Sequence, residues 1–332
     1  MTTFRVLATS PLHPDAEAFL RERCTYLVAP DIEPDTLRRA VGDVDALIVR
    51  VKLPDDIFDH APRLKACIRH GVGLDFVPVK AATRAGVIVG NLPDANTQAV
   101  VEHAVGCALL LAKDFHALAQ EFRAQGWTAR DRHPSLELAG RTVGIVGCGR
   151  IGRGVARALK QAFGMRVLGY NRSPATTGDD IEPATLDQLL READIVVLTL
   201  ALAPETRSLM NAQRLAAMKP GAFLINVARG ELIDDAALVA ALESGHLAGV
   251  ALDVFDREPL PPDHPLLAAP RLFLTPHTAG GTRESLRRMS MEAARDAIDV
   301  LQGNPPSHLI NAELWPGYIE RMRSGGTNNA AV

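Results

Sequence analysis

Short apolar runs recur at regular intervals along the first 95 residues: Arg5–Thr9, Thr25–Ala29, Ala46–Arg50, Leu64–Arg69 and Val87–Asn91. Their length and β-branched content predict strands, and their near-continuous apolar character predicts burial on both faces. Between them, Pro14–Arg21, Pro34–Ala40 and Asp75–Ala85 carry helical spacing, with prolines near their starts where a first helical turn tolerates them. Strand and helix in alternation imply a parallel sheet covered by helices. From Thr97 to Lys113 the pattern changes to a long apolar helix, followed by a second strand series at Thr142–Gly147, Arg166–Tyr170, Ile195–Leu200, Ala222–Val227, Ala248–Asp253 and Leu272–Thr275. A last helical stretch, Thr282–Gln302, is long enough to return to the first series and is stopped by Gly303-Asn304-Pro305-Pro306. The small polar residues from Arg321 onwards read as a disordered tail.

This pattern is α/β, with two parallel sheets. Six strands alternating with helices predict a Rossmann-type doubly wound domain over residues 98–282, and the shorter series predicts a smaller flavodoxin-like domain, discontinuous in sequence, over 1–97 and 283–332. A chain of 332 residues agrees with two domains. The run Val143-Gly144-Ile145-Val146-Gly147-Cys148-Gly149-Arg150-Ile151-Gly152 sharpens the assignment, because it places G-x-G-x-x-G between a strand and a helix. Gly147 suits the tight turn, Gly149 lets backbone approach a pyrophosphate, and Gly152 lets helix and strand pack closely. With a second strand, Met165–Asn171, completing the βαβ unit, the larger domain reads as dinucleotide-binding.

Charge and composition narrow the partners. A net charge of −3 carries no basic footprint for nucleic acid, and no apolar span long enough to cross a membrane is present, so a cytoplasmic protein with small-molecule partners is expected. Cys24, Cys67, Cys107 and Cys148 lack C-x-x-C spacing and the histidines lack metal-ligand spacing, so neither disulfides nor a metal are expected.

Ligands of open α/β sheets bind beyond the carboxyl ends of the strands, which directs attention to Arg229, Glu258 and His277. An arginine can grip a carboxylate through two parallel hydrogen bonds, a histidine can move a proton near neutral pH, and a carboxylate beside a histidine sets its tautomer and favours its protonated form. Singly, each residue fits a turn or surface loop; their joint placement at three strand ends points to hydride transfer to a 2-keto acid.

The order and spacing of Arg69-His70-Gly71-Val72-Gly73-Leu74-Asp75, Asn91-Leu92-Pro93 with Asn96, Glu102-His103, the glycine loop, Asn226-Val227-Ala228-Arg229-Gly230, Ala251-Leu252-Asp253-Val254-Phe255 with Glu258-Pro259, and Thr275-Pro276-His277-Thr278-Ala279-Gly280 resemble the D-isomer-specific 2-hydroxyacid dehydrogenases, particularly the phosphoglycerate dehydrogenase and hydroxypyruvate/glyoxylate reductase branches. The resemblance implies that His277 is the general acid/base, Glu258 its partner, and Arg229 the group that holds the substrate carboxylate and polarises its carbonyl. It implies carboxylate binding by the Val72 and Gly73 amides, cofactor contacts at Arg150, Ile151, Val227 and Asp253, and a homodimer, for which the helix from Val100 to Leu111 is the expected surface. In the phosphoglycerate dehydrogenase branch an arginine at the position of Arg50 approaches the substrate phosphate, but Val51 follows here where a small hydroxyl residue is common. The reading is therefore an NAD(P)-dependent reductase of a small glyoxylate- or hydroxypyruvate-like 2-keto acid. Its alternatives are a phosphoglycerate dehydrogenase and, in a different class, a non-catalytic sensor of nicotinamide redox state. No regulatory amino-acid-binding domain is expected.

Cofactor choice turns on the end of the second strand, Gly169-Tyr170-Asn171-Arg172-Ser173. NAD sites place an acidic residue there for the ribose hydroxyls, whereas a nearby arginine accommodates a 2′-phosphate. Asn171 removes the anion, Arg172 can pair with phosphate and Ser173 can donate to it, which favours NADP over NAD.

Overall fold

A computed structural model describes residues 4–131, 135–171, 178 and 180–326 of the chain. It divides into two compact units, one formed by residues 1–96 and 282–332 and the other by 97–281. In chain order the first unit contains β1 (Arg5–Ala8), α1 (Pro14–Arg21), β2 (Thr25–Val28), α2 (Pro34–Ala40), β3 (Ala46–Val49), β4 (Ala66–Arg69), α3 (Val79–Arg84) and β5 (Ile88–Gly90). The second contains α4 (Thr97–Lys113), α5 (Phe115–Gln125), β6 (Thr142–Val146), α6 (Arg150–Phe163), β7 (Arg166–Tyr170), β8 (Glu182–Pro183), α7 (Leu186–Glu192), β9 (Ile195–Leu198), α8 (Ala212–Ala217), β10 (Ala222–Asn226), α9 (Asp235–Glu243), β11 (Leu247–Leu252) and β12 (Leu272–Leu274). The chain then returns to the first unit with α10 (Arg283–Leu301) and α11 (Trp315–Gly326).

The smaller unit has strand order β2-β1-β3-β4-β5, the flavodoxin-like order, and the larger has β12-β11-β10-β9-β6-β7-β8, the Rossmann order. Neighbouring strands are parallel throughout. Alternate residues of one strand enter opposite cores: Val6 and Ala8 of β1 pack towards Met289, Ala293 and Ala297 of α10, while Leu7 joins Leu37 of α2. That two-sided burial is why the strands read as unbroken apolar runs.

Three expectations change. The helix expected from Asp75 begins only at Val79, because Pro78 occupies its N-cap and disfavours helical backbone in the residue before it. A seventh strand, the two-residue β8, was too short to carry a pattern. The tail expected to be disordered from Arg321 continues α11 as far as Gly326, held by the Tyr318 hydroxyl on the Val300 carbonyl at 2.7 Å. Val100, Val101, Ala104, Cys107 and Ala108 of α4 are buried in the larger unit's own core, while Val105, Leu109, Leu110 and Leu111 of the same helix are half-buried. Three exposed large apolar side chains, Phe115, Phe122 and Trp127, lie just beyond it, with Ile32 and Leu267 exposed elsewhere. No helix among the described residues is long and apolar enough to cross a membrane.

Candidate active site

The three loop glycines meet three different constraints. Gly147 has φ +103°, and a Cβ there would stand 2.6 Å from the Leu200 nitrogen. At Gly152 a Cβ would stand 2.2 Å from the Gly147 carbonyl oxygen, so helix and turn touch backbone to backbone. Gly149 is different: its φ of −75° is ordinary, and a Cβ would meet nothing within 4 Å. Open space over an N-cap glycine, with no side chain capping the first turn of a 14-residue helix, is a fitting cradle for a dinucleotide pyrophosphate. Arg150 opens that helix with an exposed side chain, and Ile151 is half-buried beside it. Cys148 is an ordinary buried thiol, which burial pushes up to about 11. Asn171 follows β7 and is half-exposed; Arg172 and Ser173 lie outside the described residues.

The loops after β10, β11 and β12 form one connected structure. Buried Asn226 donates from Nδ2 to the Arg229 carbonyl at 2.8 Å and accepts the Ala228 N–H at 3.0 Å, which shapes the turn through Val227 and Ala228. A Cβ on Gly230 would lie 1.9 Å from the Phe255 carbonyl carbon, so the Arg229 turn presses directly on the segment leading to Glu258. Glu258 accepts the Phe255 N–H at 3.1 Å through Oε1 and meets His277 Nδ1 at 2.6 Å through Oε2. Burial works to raise its pKa, but the bond from His277, the His277 charge, the Phe255 N–H and the Arg229 charge together hold the carboxyl below its ordinary value. The structure thus brings Glu258 and His277 into contact, with the Arg229 charge acting on Glu258.

Asp253 organises the histidine loop. Its side chain is 1% exposed, Oδ1 accepts the Thr275 hydroxyl at 2.6 Å and the Thr278 N–H at 2.8 Å, and Oδ2 accepts the Ala279 N–H at 2.9 Å. The sequence reading gave Asp253 a cofactor contact; in the structure its carboxylate is turned onto residues 275–279. His103, whose Nε2 approaches the Thr275 hydroxyl at 3.3 Å, joins the same network. Thr275 and Asn226 were legible only as members of motifs, since nothing in their spacing identifies the hydrogen bonds they make. Among the described residues, one group could hold a cation: Asp235, Asp256 and His264 place one ligand atom each within 4.8 Å of one another.

In the smaller unit, Arg50 follows β3 and donates to the Pro11 carbonyl. Burial, with the charges of Arg50 and Arg69 beside it, pushes His70 down to about 3, so this imidazole is neutral and bonds to Ser290 Oγ at 2.9 Å. Val72 and Gly73 lie in a loop whose carbonyls are all engaged: His70 O by Arg69 Nη1 at 3.0 Å, Gly71 O by the Leu92 N–H at 3.0 Å, Val72 O by Asn91 Nδ2 at 2.7 Å and Gly73 O by Arg69 Nε at 3.1 Å. In a trans peptide the N–H points away from the preceding C=O. The Val72 and Gly73 N–H groups are therefore turned to the opposite side, an arrangement suited to an anion.

Residues 105–279 match the family model described as D-isomer specific 2-hydroxyacid dehydrogenase, NAD binding domain. The chain is 36% identical to a D-3-phosphoglycerate dehydrogenase of Methanocaldococcus jannaschii across 94% of its length, but spans only 60% of that relative. It is 37% identical to a glyoxylate reductase of Pyrococcus furiosus, covering 88% of this chain and 90% of the relative. The NADPH-dependent glyoxylate/hydroxypyruvate reductase of Sinorhizobium meliloti, solved with NADP and malonate, superposes with a TM-score of 0.85 at 31% identity, covering 95% of this chain and 98% of that one.

Proposed function

Because the chain belongs to the D-isomer-specific 2-hydroxyacid dehydrogenases, NAD(P)-dependent oxidoreductases acting on CH–OH groups, we propose that it reduces a small, unphosphorylated 2-keto acid of the glyoxylate and hydroxypyruvate kind, with NADPH preferred to NADH. The observation that carries the reading is the 2.6 Å contact between His277 Nδ1 and Glu258 Oε2, under the charge of Arg229. When bound, the dihydronicotinamide supplies the hydride. His277 delivers a proton from Nε2 to the carbonyl oxygen, because Nδ1 is committed to Glu258. The Glu258 carboxylate, which stays ionised, stabilises the imidazolium before transfer. Arg229 grips the substrate carboxylate and polarises the carbonyl; in the same reading the Val72 and Gly73 N–H groups are donors suited to a carboxylate. Gly149, Arg150 and Ile151 would hold the pyrophosphate over the turn that Gly147 and Gly152 permit, Val227 and the loop braced by Asp253 would border the nicotinamide, and Asn171 would leave room for a 2′-phosphate.

The phosphoglycerate dehydrogenase reading is favoured by the Methanocaldococcus relative. It requires Arg50 to bind a substrate phosphate, whereas Arg50 is engaged by the Pro11 carbonyl and is followed by Val51. Loss of reduced-nicotinamide absorbance with each of NADPH and NADH, against glyoxylate, hydroxypyruvate and phosphohydroxypyruvate, separates the readings. Rapid NADPH loss with the unphosphorylated acids supports the proposal, activity confined to phosphohydroxypyruvate supports the alternative, and cofactor binding without turnover points to a redox sensor. In the same reading the enzyme works in the cytoplasm as a homodimer, a role for which the exposed Phe115, Phe122 and Trp127 of α5 and the turn after it offer an apolar face.

A further inference from the structure

We infer that Asn91 and His308 are positioning residues that aim the Gly73 N–H at a carboxylate, so that His308 sets the affinity for the 2-keto acid without touching it. The inference rests on the dehydrogenase reading for the identity of the anion.

Asn91 follows β5 and is 5% exposed. Its Nδ2 donates to the Val72 carbonyl at 2.7 Å, and its Oδ1 lies 2.6 Å from His308 Nδ1. A side-chain amide has one donor end and one acceptor end, so the His308 contact decides which end faces Val72. With Oδ1 accepting, His308 Nδ1 must carry a proton. The Val72 carbonyl and the Gly73 N–H belong to one planar peptide and point in opposite directions. Fixing the carbonyl on Asn91 therefore fixes the N–H on the far side.

His308 reaches this place by backbone pairing rather than by its own side chain. Residues 308–310 run antiparallel to β5: the Asn91 N–H donates to the His308 carbonyl at 3.3 Å, the Ile310 N–H donates to the Val89 carbonyl at 2.9 Å, and Gly90 and Leu309 form the bridge between them. Changing the His308 side chain leaves that pairing in place, which makes the position testable without loss of the fold. An asparagine at 308 offers an N–H the same number of bonds from the backbone as His308 Nδ1. An aspartate offers only acceptors at neutral pH, so Asn91 must turn its Nδ2 to it and face the Val72 carbonyl with Oδ1, repelling it.

The test measures KM, kcat and melting temperature for His308→Asn, His308→Leu and His308→Asp with the accepted keto acid, together with malonate binding to the NADPH-loaded protein. The expected result is KM within about twofold of wild type for His308→Asn, and raised about tenfold for His308→Leu and more for His308→Asp. In all three variants kcat and the NADPH Kd stay within about twofold, and malonate affinity follows KM. A KM in His308→Asp equal to that of wild type overturns the inference, as does a fall in kcat with KM unchanged. Wild-type protein that turns over no keto acid defeats the dehydrogenase reading alone, and the malonate arm then decides. Malonate bound equally by wild type and His308→Asp, or by neither, refutes the positioning role.

Discussion

His277 is held in left-handed backbone, φ +53°, while its N–H donates to the Asp253 carbonyl at 2.7 Å. That conformation costs a non-glycine residue roughly 1–3 kcal/mol and persists only where neighbouring contacts over-determine it. Here they do, because the Asp253 carboxylate also gathers Thr275, Thr278 and Ala279. Asp253→Asn keeps the shape but gives one end of the side chain donors that face donors. Melting curves are expected to show a loss of about 1–3 kcal/mol, and kcat to fall at least about tenfold as His277 loses its position. An unchanged kcat would dismiss Asp253 as the brace of the histidine loop.

Glu258→Gln removes the charge that favours the imidazolium. Reduction is expected to slow by about 10²-fold and His277→Ala by up to about 10⁴-fold, while NADPH affinity, measured by fluorescence titration, moves little. Since the Glu258 pKa is depressed in the folded protein, its contribution to stability is present above the ordinary carboxylate range and disappears as pH falls through the folded value. Melting temperatures of wild type and Glu258→Gln should accordingly differ at neutral pH and converge in acid.

Two substitutions three residues apart separate binding from folding. Gly149→Ala places its Cβ in open space, so the melting temperature should hold while the cofactor Kd rises about tenfold, or about 1.4 kcal/mol. Gly152→Ala drives its Cβ to 2.2 Å from the Gly147 oxygen, and about 1–3 kcal/mol of stability should be lost with the cofactor site. Equal melting temperatures for the two variants would contradict this division.

Asp235 carries the opposite pH signature to Glu258. Burial first, and then the nearby Asp256, raise it to about 6, and its Oδ2 has no hydrogen-bond donor among the described residues, although His264 Nε2 lies 3.6 Å away. The folded state therefore binds more protons than the unfolded chain between the ordinary Asp pKa and about 6, so stability from this group falls as pH rises through that window. Asp235→Asn should stabilise the protein at about pH 8 and bring little gain at about pH 4.5. Thermal scans in which the gain is larger in acid would show that the sign is wrong.

The apolar face beyond α4 predicts an oligomeric switch. Trp127 is 74% exposed, and Phe115 and Phe122 stand beside it around one open groove. A Phe122→Asp, Trp127→Asp double variant is expected to run as a monomer in light scattering while wild type runs as a dimer. A wild-type monomer would remove the assembly claim altogether.

The two sheets were legible in the chain because two-sided burial leaves an unbroken apolar run for each parallel strand, such as Ile195–Leu198, and the helices between them keep a separate period. The same local rules failed where a feature was too short or was set by a single residue. β8 has two residues, α3 is shortened by Pro78, and Asp114 at φ +50° separates α5 from α4. The tail is ordered as far as Gly326 because Tyr318 reaches the Val300 carbonyl, a contact no local pattern carries.

What the sequence determined on its own was the placement of chemistry: glycines where backbone must approach backbone or phosphate, and Arg229, Glu258 and His277 after successive strands whose carboxyl ends share one edge of a sheet. These follow from local conformation and strand order, both of which are written in residue type and spacing. Only the tertiary structure decided orientation, because hydrogen-bond direction depends on atoms distant in the chain. It turned Asp253 onto the histidine loop, exposed Phe115 and Phe122 on α5, and brought His308, 217 residues from Asn91, to the place where it selects which end of an amide faces the Val72 carbonyl.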